Sequence, residues 1–204
     1  MELIVIAKPN FFKEECHLVN QLFEAGLPVF HLRKETPDEV AYRKVIEGIS
    51  PEYHPRIALH HFHSLAEDYN IHRIHHTESF RKERNNEELP ESKILSTSIH
   101  HLADRGQIGQ YDYSFFGPVF NSLSKPGYRS IIPPDFRLEK QSAKPTIIAL
   151  GGIGLTEIDK VKAMHFDGVA LLGSIWNDPS QALTNFKKAQ AKCLAYTQNL
   201  TIPL

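Results

Sequence analysis

Cysteine is scarce: Cys16 and Cys193 are the two in 204 residues. Their spacing matches neither a metal nor a redox motif, so two free, buried thiols are expected. Charge of one sign is missing as well. Lys and Arg number 23 against 24 Asp and Glu, a formal net charge of -1. That balance removes any general attraction to nucleic acid or an anionic membrane and leaves a basic site to be local. Long hydrophobic runs are absent too; no stretch nears the roughly 20 apolar residues of a membrane span. The opening "MELIVIA" is too short for a signal peptide and lacks a cleavage pattern. These absences point to a soluble cytoplasmic protein. Linkers, internal repeats and low-complexity tracts are not found.

What is present is ordinary globular material, 41% apolar and 23% charged, which excludes general disorder. The length suits a single domain over 1–204 that buries a core without staples. Eight short apolar runs recur about 25 residues apart: "LIVIA" (3–7), "PVFHL" (28–32), "RIALH" (56–60), "HRIH" (72–75), "KILSTS" (93–98), "YSFFG" (113–117), "TIIALGG" (146–152) and "GVALLG" (168–173). Most are continuous rather than alternating, the pattern of parallel strands covered on both faces.

Helix signals fall between them. A stripe of Leu18, Val19, Leu22 and Phe23 predicts a helix over 13–25 that stops at Gly26. Capping boxes are read at Thr36, ahead of Val40, Val45, Ile46 and Ile49, at Ser64, and at Asp178 before the last helix. "RKERNNEELPESK" (81–93) is the weakest connection, a solvated loop or frayed helix. Eight βα units predict a compact (β/α)8 TIM barrel, below the about 250 residues typical of that fold. An open doubly wound sheet would favour a glycine-rich phosphate turn after the first strand, and "IAKPNFFKEE" has none.

In such a barrel the chemistry belongs at the carboxyl ends of the strands and in the loops that follow. Gly151-Gly152 and Gly173-Ser174 end the last two runs, where a phosphate site recurs in these barrels. Glycine there could equally serve only a tight turn. "SLSK" after the sixth run offers Ser122, Ser124 and Lys125 to an anionic substrate, or is a polar surface turn. Arg33 is a second candidate anion clamp.

These pieces, in this order, resemble the thiamine phosphate synthase and thiazole tautomerase family across nearly the whole chain. Family patterns Q-L-R-x-K, V-S-x-H, G-P-[VI]-F-x-T-x-T-K, G-G-I and G-V-A-V-V-S-x-I meet "HLRKE", "TSIH", "GPVFNSLSK", "GGI" and "GVALLGSI" here. The resemblance implies condensation of a hydroxymethylpyrimidine diphosphate with a thiazole phosphate, releasing pyrophosphate. It implies Mg²⁺ and basic side chains to stabilise the leaving group. Carried over by position, Arg33 and Lys125 would hold the diphosphate, Ser98 would lie near the pyrimidine and pyrophosphate, and Ser122 and Ser124 near both substrates. Gly152, Gly173 and Ser174 would bind the thiazole phosphate. A homo-oligomer is compatible with this reading; nucleic acid and membrane partners are not expected.

The departures gather in "RIALHHFHSLAEDYNIHRIHH", residues 56–76, which holds six histidines. Where the family carries Asn-Asp after the third strand, this chain has His60-His61. After the fourth strand it reads "HHTESF", with His75 on the family histidine, Glu78 near the usual glutamine, and no aspartate. His31 replaces the second-strand glutamine, Glu35 stands on the lysine position beside Lys34, and Gly173 replaces a serine. Three readings stay open. The histidines could bind a transition metal. Glu78 alone could anchor Mg²⁺ through substrate phosphates. Or the protein-held Mg²⁺ is lost, with His60, His61 and His75 lining a pocket and His63, His72 and His76 on helix or surface. A tautomerase branch would place a histidine at Pro118, so another base, His100 or His75, would be needed. A non-catalytic barrel binding thiazole phosphate or thiamine phosphate is the remaining alternative.

Overall fold

A computed structural model describes residues 1–83, 92–121, 130–133, 135–139 and 144–198. All eight apolar runs are strands: β1 Glu2–Ile6, β2 Val29–Leu32, β3 Ile57–Leu59, β4 Arg73–His76, β5 Ile94–Ile99, β6 Tyr113–Phe116, β7 Thr146–Leu150 and β8 Gly168–Leu171. Each pairs with the next, and β1 pairs in parallel with β8, so the sheet closes into a barrel. The fold is the expected (β/α)8 TIM barrel.

Side chains alternate across each strand, and the two faces bury different partners. One set, including Ile4, Ile6, Val29, Ala58, Tyr113, Phe115, Ile148 and Ala170, forms an apolar cluster of its own that fills the barrel. The intervening set, such as Leu3, Val5, Phe30, Leu32 and Val169, joins the helices in the outer core. The register aligns Ile6 with His31 and His31 with Ala58, then His75 with Ser96 and Ser98 with Phe115. Polar residues of β2, β4 and β5 therefore enter the barrel at matching heights.

Helix α1 (Glu15–Glu24) buries Val19, Leu22 and Phe23. It stops as predicted: Gly26 takes φ +94°, and Leu27 N–H donates to Leu22 O at 2.9 Å. Helix α2 (Glu39–Glu47) starts later than its sequence signal. Asp38, not Thr36, is the cap, accepting from Ala41 N–H at 2.7 Å. The shifted start turns the buried stripe to Tyr42, Val45 and Ile46 and leaves Val40 62% exposed. Helix α3 (Leu65–Asp68) follows Ser64, whose side chain caps nothing. At one turn it follows Phe62 at φ 53°, and Ser64 is already helical rather than extended, the geometry a cap requires.

Helix α4 (Glu78–Glu83) runs into the start of the weak connection, of which 84–91 lie outside the described residues. Helices α5 (Ile158–Ala163) and α6 (Gly173–Trp176) flank β8, and α7 (Ala182–Gln198) is entered from Asp178, which caps a single 3-10 turn through Ser180 N–H. Both cysteines are free; Cys193 is buried, but Cys16 is only half-buried, against Val45 and Gly48 rather than inside the core. No helix among the described residues is long and apolar enough to cross a membrane.

Candidate functional site

Because all strands run in parallel, their carboxyl ends share one rim. Arg33 follows β2, His60 follows β3, His75 and Ser98 lie near the ends of β4 and β5, Gly152 follows β7, and Gly173-Ser174 follow β8. Arg33 is exposed there. Its neighbour Lys34 turns the other way and is 1% exposed. The Lys34 ammonium pairs with the Glu15 carboxylate, donates to Lys8 O at 3.0 Å, and stands 4.7 Å from the centre of the Phe11 ring. Burial pushes the Glu15 carboxyl up and the Lys34 ammonium down, and each charge opposes the other's shift. Lys34 is thus an anchor tying the β1–α1 loop to the end of β2, outside the barrel mouth.

Inside the mouth, three imidazoles converge. His31, His60 and His75 are 0%, 6% and 2% exposed, and one ring nitrogen from each lies within 4.8 Å of the other two. His31 Nδ1 is 2.8 Å from His60 Nε2, and His31 Nε2 is 2.8 Å from the Tyr113 hydroxyl. The His75 ring is gripped at both nitrogens, by Ser96 Oγ at 2.9 Å and Ser98 Oγ at 3.2 Å. His60 Nδ1 is buried with no hydrogen-bond partner among the described residues. Burial pushes His31 down to about 3, and burial with neighbouring rings drives His60 and His75 well below the ordinary range. Burial thus favours the neutral form of all three rings.

The other histidines of the run do not join them. Residues adjacent in a strand face opposite ways. His61 stands outside the barrel, its ring 6.2 Å from Tyr42. His76 is not a surface residue as expected: it is 6% exposed, its Nδ1 lies 3.1 Å from the Tyr111 hydroxyl, and its ring is 5.4 Å from that of half-buried His63. The β4 parity that sends His75 inward sends His76 into the outer core. His72 is exposed, as expected.

Glu78 opens α4 at the rim. Its Oε1 accepts from Lys82 at 2.7 Å and its Oε2 is 3.7 Å from His100 Nε2. The Lys82 hydrogen bond and the nearby cations hold this carboxyl below its usual range. His100 Nδ1 lies 2.7 Å from Gly117 O. Mg²⁺ asks for several oxygen ligands in octahedral array. The converging donors here are imidazole nitrogens, and Glu78 is already engaged by Lys82 and Arg81. The described residues do not fit a protein-held Mg²⁺.

At the opposite side of the rim, Gly151 and Gly152 take φ +99° and +65°. A Cβ on Gly152 would fall 2.5 Å from Phe120 O and 2.6 Å from Asn121 O. The pair therefore lets the chain after β6 lie directly on the end of β7. Beside it, after the neighbouring β8, α6 is pinned by Trp176 Nε1, which donates to Ile6 O at 2.7 Å. Ser174 Oγ is buried there without a hydrogen-bond partner among the described residues. Ser122, Ser124 and Lys125 lie outside the described residues.

Sequence reasoning put His60 and His75 in one pocket, but it added His61 to them and did not bring His31 into the cluster. Once the register is known, strand parity puts positions 29, 31, 58, 60, 73, 75, 96 and 98 in one inward phase. Nothing local marked Glu15 as the partner of Lys34.

A family model described as thiamine monophosphate synthase matches residues 3–175. The thiamine-phosphate synthase of Staphylococcus carnosus (strain TM300) is 25% identical over 183 residues, covering 85% of this chain and 86% of that protein. The crystal structure of thiamine phosphate pyrophosphorylase from Bacteroides thetaiotaomicron superposes with a TM-score of 0.72 at 25% identity, covering 95% of this chain and 98% of its own. A thiamine phosphate pyrophosphorylase from Pyrococcus furiosus shares the fold, with a TM-score of 0.72 at 14% identity over 95% and 96% of the two chains.

Proposed function

Since the chain belongs to the thiamine monophosphate synthase family, we propose that it joins a hydroxymethylpyrimidine diphosphate to a thiazole phosphate. The carbon–oxygen bond to the diphosphate breaks and its electron pair leaves with pyrophosphate. The thiazole nitrogen then donates its lone pair to the pyrimidine methylene carbon, forming the new carbon–nitrogen bond. One observation carries the reading: Arg33, Ser98, Gly152 and Ser174 close β2, β5, β7 and β8 and so open on one rim. Arg33 supplies fixed positive charge to the departing diphosphate, with Lys125 from the loop after β6 as its expected companion. Preorganised charge of this kind acts where negative charge develops and needs no reorganisation during the step. Ser98, held against His75, faces the pyrimidine. Ser174, whose buried hydroxyl lacks a partner among the described residues, and the Gly152 and Gly173 backbone take the thiazole phosphate. The donor set gives Mg²⁺ no firm protein ligands, so no step here is assigned to it.

The test is pyrophosphate release from the two substrates, with and without added Mg²⁺, followed by identification of thiamine phosphate. Release that requires both substrates supports the reading. No release, in an assay where an active synthase works, overturns it. A second reading is favoured by His100. Its Nδ1 is engaged by Gly117 O while Nε2 faces Glu78, the arrangement of a proton-transferring imidazole. On that reading the protein isomerises a thiazole carboxylate phosphate without a diphosphate substrate, and His100→Ala abolishes the isomerisation.

A further inference from the structure

Of the three buried imidazoles in the barrel mouth, His75 supports Ser98, while His31 and His60 have no task in either reaction. A buried polar group in a folded protein ordinarily has a partner, yet the nitrogens here are incompletely met. His31 Nδ1 and His60 Nε2 can share only one proton across their 2.8 Å separation. Whichever ring holds it, His60 Nδ1 faces no partner among the described residues. Among the described residues, the converging group is His31, His60 and His75, with no carboxylate in it.

We propose that His31, His60 and His75 form a binding site for one borderline divalent transition-metal ion, Zn²⁺ or its Co²⁺ and Ni²⁺ analogues, with a fourth position open to water or an oxyanion. One nitrogen from each ring already lies within 4.8 Å of the others. A tetrahedral ion with metal–nitrogen bonds of about 2.0–2.1 Å sets its ligands roughly 3.4 Å apart. The rings must turn to close the difference, and the stacked His60 and His75 rings, 3.9 Å between centroids and 21° between planes, must open their near-parallel planes for both in-plane lone pairs to meet one ion. Ligating histidines are usually oriented through their second nitrogen. His31 is held so by Tyr113, and His75 by Ser96. Neutral imidazole is the ligating form, and all three rings are buried.

The donor type selects the ion. Imidazole suits Zn²⁺, Cu²⁺ and Ni²⁺, whereas Mg²⁺ prefers carboxylate, carbonyl and water. Three protein ligands with an open position also distinguish a reactive zinc site from a closed structural one. Arg33 is exposed at the end of β2, near enough for its charge to act on His60 and His75. Two neighbouring cations and no carboxylate favour an anion in the fourth position, hydroxide or a phosphate oxygen. The inference does not depend on which reaction the barrel catalyses.

The experiment titrates chelator-treated, dialysed full-length protein with Zn²⁺ and, separately, with Co²⁺. Calorimetry and elemental analysis give the stoichiometry, and the visible spectrum of the Co²⁺ form gives its geometry. One ion per chain is expected, with the intense visible bands of low-coordinate Co²⁺ and no competition from excess Mg²⁺. His60→Ala and His75→Ala should weaken binding at least about 100-fold. Tyr113→Phe, which keeps the ring and removes only the hydroxyl on His31, should weaken it roughly 10-fold. His72→Ala, at an exposed position, should change nothing. Binding that survives the triad variants, or wild-type protein that takes up no stoichiometric ion, overturns the proposal. If the alanine variants do not fold, the nitrogen-15 NMR shifts of the buried rings in wild-type protein decide: no movement on adding Zn²⁺ is equally fatal to it.

Discussion

The imidazoles of His60 and His75 lie nearly face to face, 3.9 Å between ring centroids and 21° between planes. The pair fills the barrel where most of the lining below is aliphatic or aromatic. His75→Ala opens a cavity there and takes the ring away from the hydroxyls of Ser96 and Ser98, with Ser96 keeping Ile74 O as a partner, so it should destabilise the chelator-treated protein by about 3 kcal/mol. His75→Phe keeps the volume and should cost less. Urea denaturation of both variants checks the order; equal losses would show that packing contributes little at this position.

Arg33 is the exposed cation at the end of β2. If it stabilises the leaving diphosphate, Arg33→Ala should lower kcat/KM about 100-fold, of the order seen when one donor to a developing anion is removed. Arg33→Lys should recover only part of the rate, because an ammonium lacks the two-pronged geometry of a guanidinium. Initial rates of pyrophosphate release decide it. Unchanged kcat/KM in Arg33→Ala would remove Arg33 from the reaction.

The Lys34–Glu15 pair is enclosed, with side chains 0% and 1% exposed. Removing one partner leaves the other charge buried and alone, which typically costs about 3–5 kcal/mol. Lys34→Met and Glu15→Leu should each fall in that range, while the double variant should lose much less than their sum. Melting and denaturant curves for the four proteins of the cycle give the coupling. Strict additivity would mean that the pair does not act as a unit.

Tyr42 supplies a pH dependence with a definite sign. It is fully buried, accepts from Lys34 N–H at 3.1 Å, and is pushed by burial from 10.0 up to about 12. Between those values the unfolded chain ionises this phenol and the folded chain does not. The folded state then holds more protons, so stability falls as pH rises, by about 1.4 kcal/mol per unit. Below pH 10 the contribution is fully present. Tyr42→Phe should be less stable by about 1 kcal/mol at pH 8, through its lost hydrogen bonds, and should lack this alkaline slope. The two stability curves should meet and cross as the pH climbs toward 12. A constant gap would mean that the phenol titrates freely in the folded protein.

All eight strands were legible because parallel strands buried on both faces read as unbroken apolar runs. Helix starts were less so. At Thr36-Pro37-Asp38-Glu39 two residues could cap, and only the position of Tyr42 in the outer core selects Asp38. Ser64 carries the right letters for a cap but already has helical dihedrals. Within the site, the rim positions of Arg33, Ser98 and Ser174 follow from strand boundaries and could be read directly. The meeting of His31 with His60 could not be read from spacing, since 29 residues separate them and a one-residue slip in register would put His61 inside instead. The Lys34–Glu15 pair was invisible for a related reason: a lysine beside an arginine at a strand end looks like part of the same basic site until its direction is known.

That direction has a chemical consequence. An ammonium walled in by Glu15, Lys8 O and the Phe11 ring is out of reach of acylating reagents and of trypsin. Labelling at Lys34 can proceed only when the β1–α1 loop lets go or the whole barrel opens. The rate of its modification, set against that of the exposed Lys13 on the same loop, is therefore a built-in clock for opening of the native state. Mass spectrometry can read it without introducing a probe.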